Sequence, residues 1–177
     1  FSILTKHCLA NTSYGTSALA SITTGNYNSA FGQNSLFETT EGIANDAFGY
    51  NSLKRNTTGS YNSSVGSWSL FSNTTGSFNN AFGRSSLINN STGAYNTAVG
   101  KDTLTTNTTG SNNLSMGYQS GYSNETGSGN IFIGYQSGYS ETGSNKLYID
   151  NSNTSSRLIY GDFDTNKLTV NGDMSVT

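Results

Sequence analysis

"NNAFGRSSLINNSTGAYNTAVG" (residues 79–100) opens and closes on nearly the same phrase: Asn, a small residue, an apolar residue and Gly. The echo runs along the chain. Gly15, Gly32, Gly49, Gly66, Gly83, Gly100, Gly117 and Gly134 are spaced by 17 residues, and four residues before each stands an asparagine, from Asn11 to Asn130. A second glycine column runs from Gly25 to Gly127 at the same spacing and then arrives one residue early, at Gly143. Leucine follows the first glycine by four residues at Leu19, Leu36, Leu53, Leu70, Leu87 and Leu104, then gives way to Gly121 and Gly138. A fixed period of this kind marks stacked repeats, in which each unit buries its apolar face against its neighbours.

One unit, "YNSSVGSWSLFSNTTGS" (61–77), reads as strand, bend, strand, turn. Alternation from Tyr61 to Val65 puts Tyr61, Ser63 and Val65 on one face and Asn62 and Ser64 on the other. Gly66 permits a bend, and a second extended piece is expected from Ser67 to Phe71, with Leu70 as its apolar contact. Asn73, Thr74, Thr75 and Gly76 close the unit as a polar turn. Helix fits poorly, because two glycines per unit and many β-branched and Asn residues lower helix propensity. The fold class expected is all-β: a parallel β-solenoid (β-roll) of 17-residue coils, eight of which make a rod on the order of 40 Å long.

Composition agrees. Of the 177 residues 32% are hydrophobic and 10% charged, yet 12% are aromatic and held in columns, which disordered polar tracts are not. The formal charge of −2, with no basic run beyond Lys54 and Arg55, offers nothing to nucleic acid. No apolar run approaches the roughly 20 residues of a membrane helix, so membrane insertion is not expected. Proline is absent, so Gly, Asn and Ser must make the turns. The chain opens with Phe1 and is read as a fragment or a processed product.

Burying a Tyr, a Val and a Leu per unit falls short of the entropy of ordering 17 residues, even with backbone pairing between coils. The large rings at Tyr27, Tyr61, Phe78 and Tyr95 exceed what one narrow coil covers. Chains are therefore expected to associate laterally, most simply as a parallel homotrimer. The small residues two before each glycine (Ser13, Ala30, Ala47, Ser64, Ala81, Ala98, Ser115) either let backbones of different chains approach or suit a tight coil interior.

"YNTAVG" (95–100) and "NNLSMG" (112–117) resemble the head repeat of trimeric autotransporter adhesins, a left-handed parallel β-roll. The unit here is longer than is usual in that family, and a longer polar turn at the "NTTG" segment absorbs the difference. The repeats are also similar to the "NTA[VI]G…L…NTTG" units of bacteriophage tail fibres and large secreted bacterial surface proteins. The tail, residues 145–177, resembles the segment that in such fibres leads to an endosialidase-type intramolecular chaperone. The resemblance implies a trimeric, extracellular or virion-borne fibre segment.

Three regions are expected: a partial or irregular N-terminal coil (1–9), the solenoid (10–144) and a C-terminal β-strand region (145–177). In the last, Leu147 and Ile149, Leu158 and Tyr160, and Leu168 and Val170 mark three short strands.

Reactive groups are few. His7 and Cys8 are adjacent but lack a recognisable supporting acid, and a lone cysteine excludes an intrachain disulfide. "DFDTNK" sets Asp162, Asp164 and Asn166 at alternate positions with Asp173 eleven after the first, resembling a calcium loop, but Lys167 stands where that loop needs glycine. It is read as a solvated acidic turn ahead of a strand. Glu38, Glu41, Glu125 and Glu141 are scattered over turns without glycosidase pairing. No catalytic residue, metal or cofactor is expected. The sequons at Asn56, Asn73, Asn90, Asn107 and Asn124 share one column and are read as polar turns whose side chains cap the backbone.

Single aromatics on otherwise polar columns are the candidate contacts with a surface glycan: Trp68, and Tyr50, Tyr118 and Tyr135 just after the glycine. The function expected is a stiff trimeric rod from a phage tail fibre or bacterial surface adhesin, extracellular, whose other partner is a cell-surface glycan or protein receptor. The in-register pairs Thr57/Thr58, Thr74/Thr75 and Thr108/Thr109 raise an ice- or crystal-binding solenoid as the alternative. A polysaccharide-degrading spike ranks last, since acids do not recur in a column.

Overall fold

The computed structural model describes residues 10–154 and 157–172. These residues form strands and turns without helix. Eight three-residue strands come first: β1 Thr12–Tyr14, β2 Ser29–Phe31, β3 Asp46–Phe48, β4 Ser63–Val65, β5 Asn80–Phe82, β6 Thr97–Val99, β7 Leu114–Met116 and β8 Ile131–Ile133. Three strands of four residues follow: β9 Lys146–Ile149, β10 Ile159–Asp162 and β11 Lys167–Val170. All eleven lie in one sheet in chain order. Pairing is parallel from β1 to β9 and antiparallel from β9 to β11. The chain is thus a parallel β-solenoid whose rungs stack in register, Ser63 on Asn80 and Val65 on Phe82.

Each coil is held by three kinds of bond. Strand amides reach both neighbours, as Ser63 N–H donates to Asn79 O at 2.9 Å and Gly66 N–H to Phe48 O at 2.8 Å. Inside the coil the asparagine column forms a ladder. Asn79 donates its N–H and its Nδ2 to Asn62 Oδ1 at 2.9 and 3.2 Å, and its Nδ2 also reaches Gly93 O at 2.9 Å. A second ladder stands beside it: Asn73 Nδ2 donates to Asn56 Oδ1 and to Gly76 O, the carbonyl that also accepts from Asn62. From Asn28 and Asn56 onward both columns are buried, with every Nδ2 group bonded, while the Oδ1 atoms of Asn107 and Asn124, at the end of the second ladder, have no partner. At the five polar turns from Thr23–Gly25 to Ser91–Gly93 three successive N–H groups converge on one carbonyl of the next coil, as those of Thr57, Thr58 and Gly59 do on Thr74 O. This is the nest geometry that concentrates donors on one oxygen.

The apolar core is narrow: the leucine column and the small-residue column, Ala30, Ala47, Ala81 and Ala98, capped by Phe132 and Tyr148. Small residues therefore fill the coil interior, one of the two readings their column allowed. Gly66 shows why glycine recurs. Its φ is +131°, and a Cβ there would sit 2.6 Å from Gly83 O and 2.7 Å from Gly83 C.

Two expectations need correction. Tyr61 and Val65 do not enter the core; they stay 50% and 40% exposed, while Asn62 and Ser64 point in. The interior takes amides because the neighbouring rung satisfies them, and it is too thin for rings. The extended piece at Ser67–Phe71 is a turn, with Trp68 at φ 65° and Leu70 at φ 49°. These left-handed positions close the coil within a few residues, which a second strand would not.

Candidate functional site

With the core narrow, most large side chains lie outside, on two chemically different sides. The outward face of the parallel sheet carries three columns: the first and third residues of every strand, and the residue two before the strand. The third-residue column is apolar on every rung from Tyr14 through Phe31, Phe48, Val65 and Phe82 to Ile149. The residue two before the strand stacks as rings, Tyr61 on Phe78 and Phe78 on Tyr95, both with centroids 4.9 Å apart and planes nearly parallel. Phe31 and Phe48 stack likewise at 5.0 Å. Sequence reasoning named the ring column but took the Val65 position for core.

The other side holds the sequence-predicted contacts, and they fall in two groups. Tyr50 meets Trp68 edge-on at 5.6 Å, and Trp68 tilts against Phe71 at 4.7 Å. Four rungs further, about 19 Å along the rod by the usual strand spacing, Tyr118 stacks on Tyr135 at 5.6 Å. Cations join both groups. Lys54 Nζ lies 5.9 and 5.7 Å from the rings of Phe37 and Phe71, which flank it on adjacent rungs. Arg55 lies 5.0 Å from the Phe71 ring, and Lys101 lies 5.1 Å from that of Tyr118. Cations over ring faces gain from the ring quadrupole. The sequence signal for this association was the 17-residue offset of Phe37, Lys54 and Phe71, unused because the segment was read as a strand.

Asp162 Oδ2 pairs with Lys146 Nζ at 3.1 Å, and Asp164 Oδ2 lies 3.7 Å from the same nitrogen. Asp162 Oδ1 accepts from the Asp164 and Thr165 amides, so the acidic turn is tied down by its own chain. The hydrogen bond from Lys146 holds the Asp162 carboxyl below its ordinary range, and the same bond raises the Lys146 ammonium. β11 begins at Lys167.

Glu141 accepts from the Thr142 and Gly143 amides and from the Tyr148 hydroxyl. Burial first, and that bond second, push the Tyr148 phenol well above the tyrosine range. Arg157 stacks over Tyr148 at 4.4 Å and Tyr160 at 5.1 Å, beside a small open cleft that also touches Glu141 and Asp150. Glu38, Glu41 and Glu125 stand on separate turns. Among the described residues no group of three or more His, Cys, Asp or Glu could hold a metal. His7, Cys8 and Asp173 lie outside the described residues.

The sequon asparagines Asn56, Asn73, Asn90, Asn107 and Asn124 are buried, their amides spent on the second ladder or on turn carbonyls. In the threonine pairs, the hydroxyls of Thr57, Thr74 and Thr108 donate to the carbonyls of Thr74, Ser91 and Glu125 on the next coil. Only Thr58, Thr75 and Thr109 point outward. No helix among the described residues is long and apolar enough to cross a membrane.

No family model, curated protein or solved structure matches the chain.

Proposed function

We propose that the chain is a structural fibre segment, a stiff rod of a phage tail fibre or bacterial surface adhesin that serves host or surface attachment as a parallel homotrimer. The carrying observation is the unbroken stack of nine parallel rungs, β1 to β9, each bonded to the next through backbone, with an asparagine ladder from Asn11 to Asn130 and turn nests from Thr23 to Gly93. Such a stack resists bending because any kink must part several ladders at once. Attachment is mechanical and multivalent: three copies of one ridge raise avidity for a weak surface ligand. The Tyr50–Trp68 and Tyr118–Tyr135 groups, with their neighbouring cations, are the positions offered to a surface glycan, rings stacking on sugar faces.

An ice- or crystal-binding face receives less support, since one threonine of each pair spends its hydroxyl inside the stack. Mass measurement under native conditions tests the fibre reading, with three chains per particle expected. A lone chain at micromolar concentration would overturn it.

A further inference from the structure

Taking the fibre reading as its basis, we propose that the seam between chains is the outward face of the parallel sheet, and that its occupants are two further copies of this chain, parallel and in register.

Charge is the first argument. The repeat block, residues 10–144, contains ten charged residues, Glu38, Glu41, Asp46, Lys54, Arg55, Arg84, Lys101, Asp102, Glu125 and Glu141, and only Asp46 stands on the sheet face. The other nine lie on the opposite side or its turns. Depletion of charge beside a stripe of rings is what the centre of a protein interface shows.

Area is the second. Eight aromatic residues of this face are between 37% and 78% exposed. At roughly 150–250 Å² for each whole ring residue, they turn on the order of 800 Å² outward. The largest apolar patch of an ordinary monomer is about 300–600 Å², whereas each partner in a standard interface contributes about 800 Å².

Pitch selects the occupant. The apolar column repeats once per rung, so a partner must offer apolar groups at the strand spacing over nine rungs. A sister chain does so by construction. Along the rod the second apolar column also changes place: rings two before the strand at Tyr61, Phe78 and Tyr95 give way to Leu114, Ile131 and Leu147 within the strands. Copies in parallel register make that exchange at the same level, ring against ring and aliphatic against aliphatic. The same register brings the Asp46 residues of the copies to one level, so Asp46→Asn tightens the assembly.

Val65→Lys and Phe82→Lys in the full chain, with Ser67→Lys on the opposite side as control, test the seam by native mass and by circular dichroism. The expected result is loss of the trimer in the two sheet-face variants, with the β spectrum kept, and an intact trimer in the control. If a lysine variant does not fold, Phe82→Cys in a Cys8→Ser background gives the answer: mild oxidation should link Cys pairs between chains, and mixing Phe82→Cys with Phe31→Cys chains should yield no mixed pair. A trimer indifferent to the lysines, or without the cross-link, would refute the seam and leave the fibre reading standing. A monomeric parent chain would refute the fibre reading itself.

Discussion

Gly121 and Phe132 share one core volume. A Cβ at Gly121 would lie 2.6 Å from Phe132 Cδ2 and 2.9 Å from Leu104 Cδ2. Six earlier coils place Leu at the Gly121 position, over Ala or Ser in the small-residue column; the last coils exchange large for small, with Phe132 between Gly121 and Gly138 and Tyr148 packed against it. Backbone does not demand glycine here, because Leu104 adopts φ 48° at the equivalent position. Gly121→Leu alone should therefore destabilise by about 1–3 kcal/mol through overpacking, and Phe132→Ala alone by about 3–5 kcal/mol. Gly121→Leu/Phe132→Ala restores the upstream pattern and should lose less than the sum. Urea unfolding of the four chains closes the cycle, and simple additivity would refute the shared volume.

The asparagine ladder is a second test. Asn79→Ala would orphan the buried Asn96 N–H and take one of two donors from Gly93 O and from Asn62 Oδ1, which keep Asn90 Nδ2 and the residue-79 N–H. The orphaned amide costs about 1–3 kcal/mol, so this variant should be destabilised by about that much. Its neighbour Asn80, exposed on the sheet, is matched by Ser63 on the adjacent rung. Asn80→Ser should melt close to the parent chain, and equal losses at the two sites would contradict the ladder.

Glycines inside the stack and at its end should differ. Gly66→Ala meets the Gly83 backbone and a left-handed φ, so local unfolding by hydrogen exchange is expected around that rung. Gly143→Ala meets a side-chain atom, Glu141 Oε1 3.0 Å away, in place of backbone, and should be better tolerated than Gly66→Ala.

The C-terminal hairpin should respond to acid. Asp162 has a lowered folded-state pKa, so its contribution is present above the unfolded value of 3.8 and is lost as pH falls through the folded value beneath it. Lys146, raised above 10.5, contributes at neutral pH and loses its contribution as pH rises through its folded value. Resonances of β10 and β11 should stay constant between those limits and shift below pH 3.8. Asp162→Asn should abolish the acid limb of that titration. An unchanged acid limb in this variant would show that the pair does not hold the hairpin.

The period alone determined the architecture. A glycine, an asparagine and a leucine recurring every 17 residues admit one economical arrangement, coils stacked with like on like, and the parallel pairing from β1 to β9 has that register. The alternation from Tyr61 to Val65 was also legible, but its sign was not. A single unit shows no reason to bury Asn62 and expose Val65; the reason is the neighbouring rung, which supplies the amide partners of Asn62 and leaves no room for more than Ala or Ser beside the leucines. Trp68 and Leu70 likewise adopt left-handed backbone that their residue types disfavour, imposed by the need to close the coil in so few residues. For the candidate site, composition pointed to Tyr50, Trp68, Tyr118 and Tyr135, while only the left-handed turn brought Phe71 against Trp68 and only the stacking of rungs brought Lys54 and Arg55 over Phe71. Repetition is written in the chain, whereas the choice of inside and outside belongs to the stack, because hydrogen-bond partners and free volume exist only between coils.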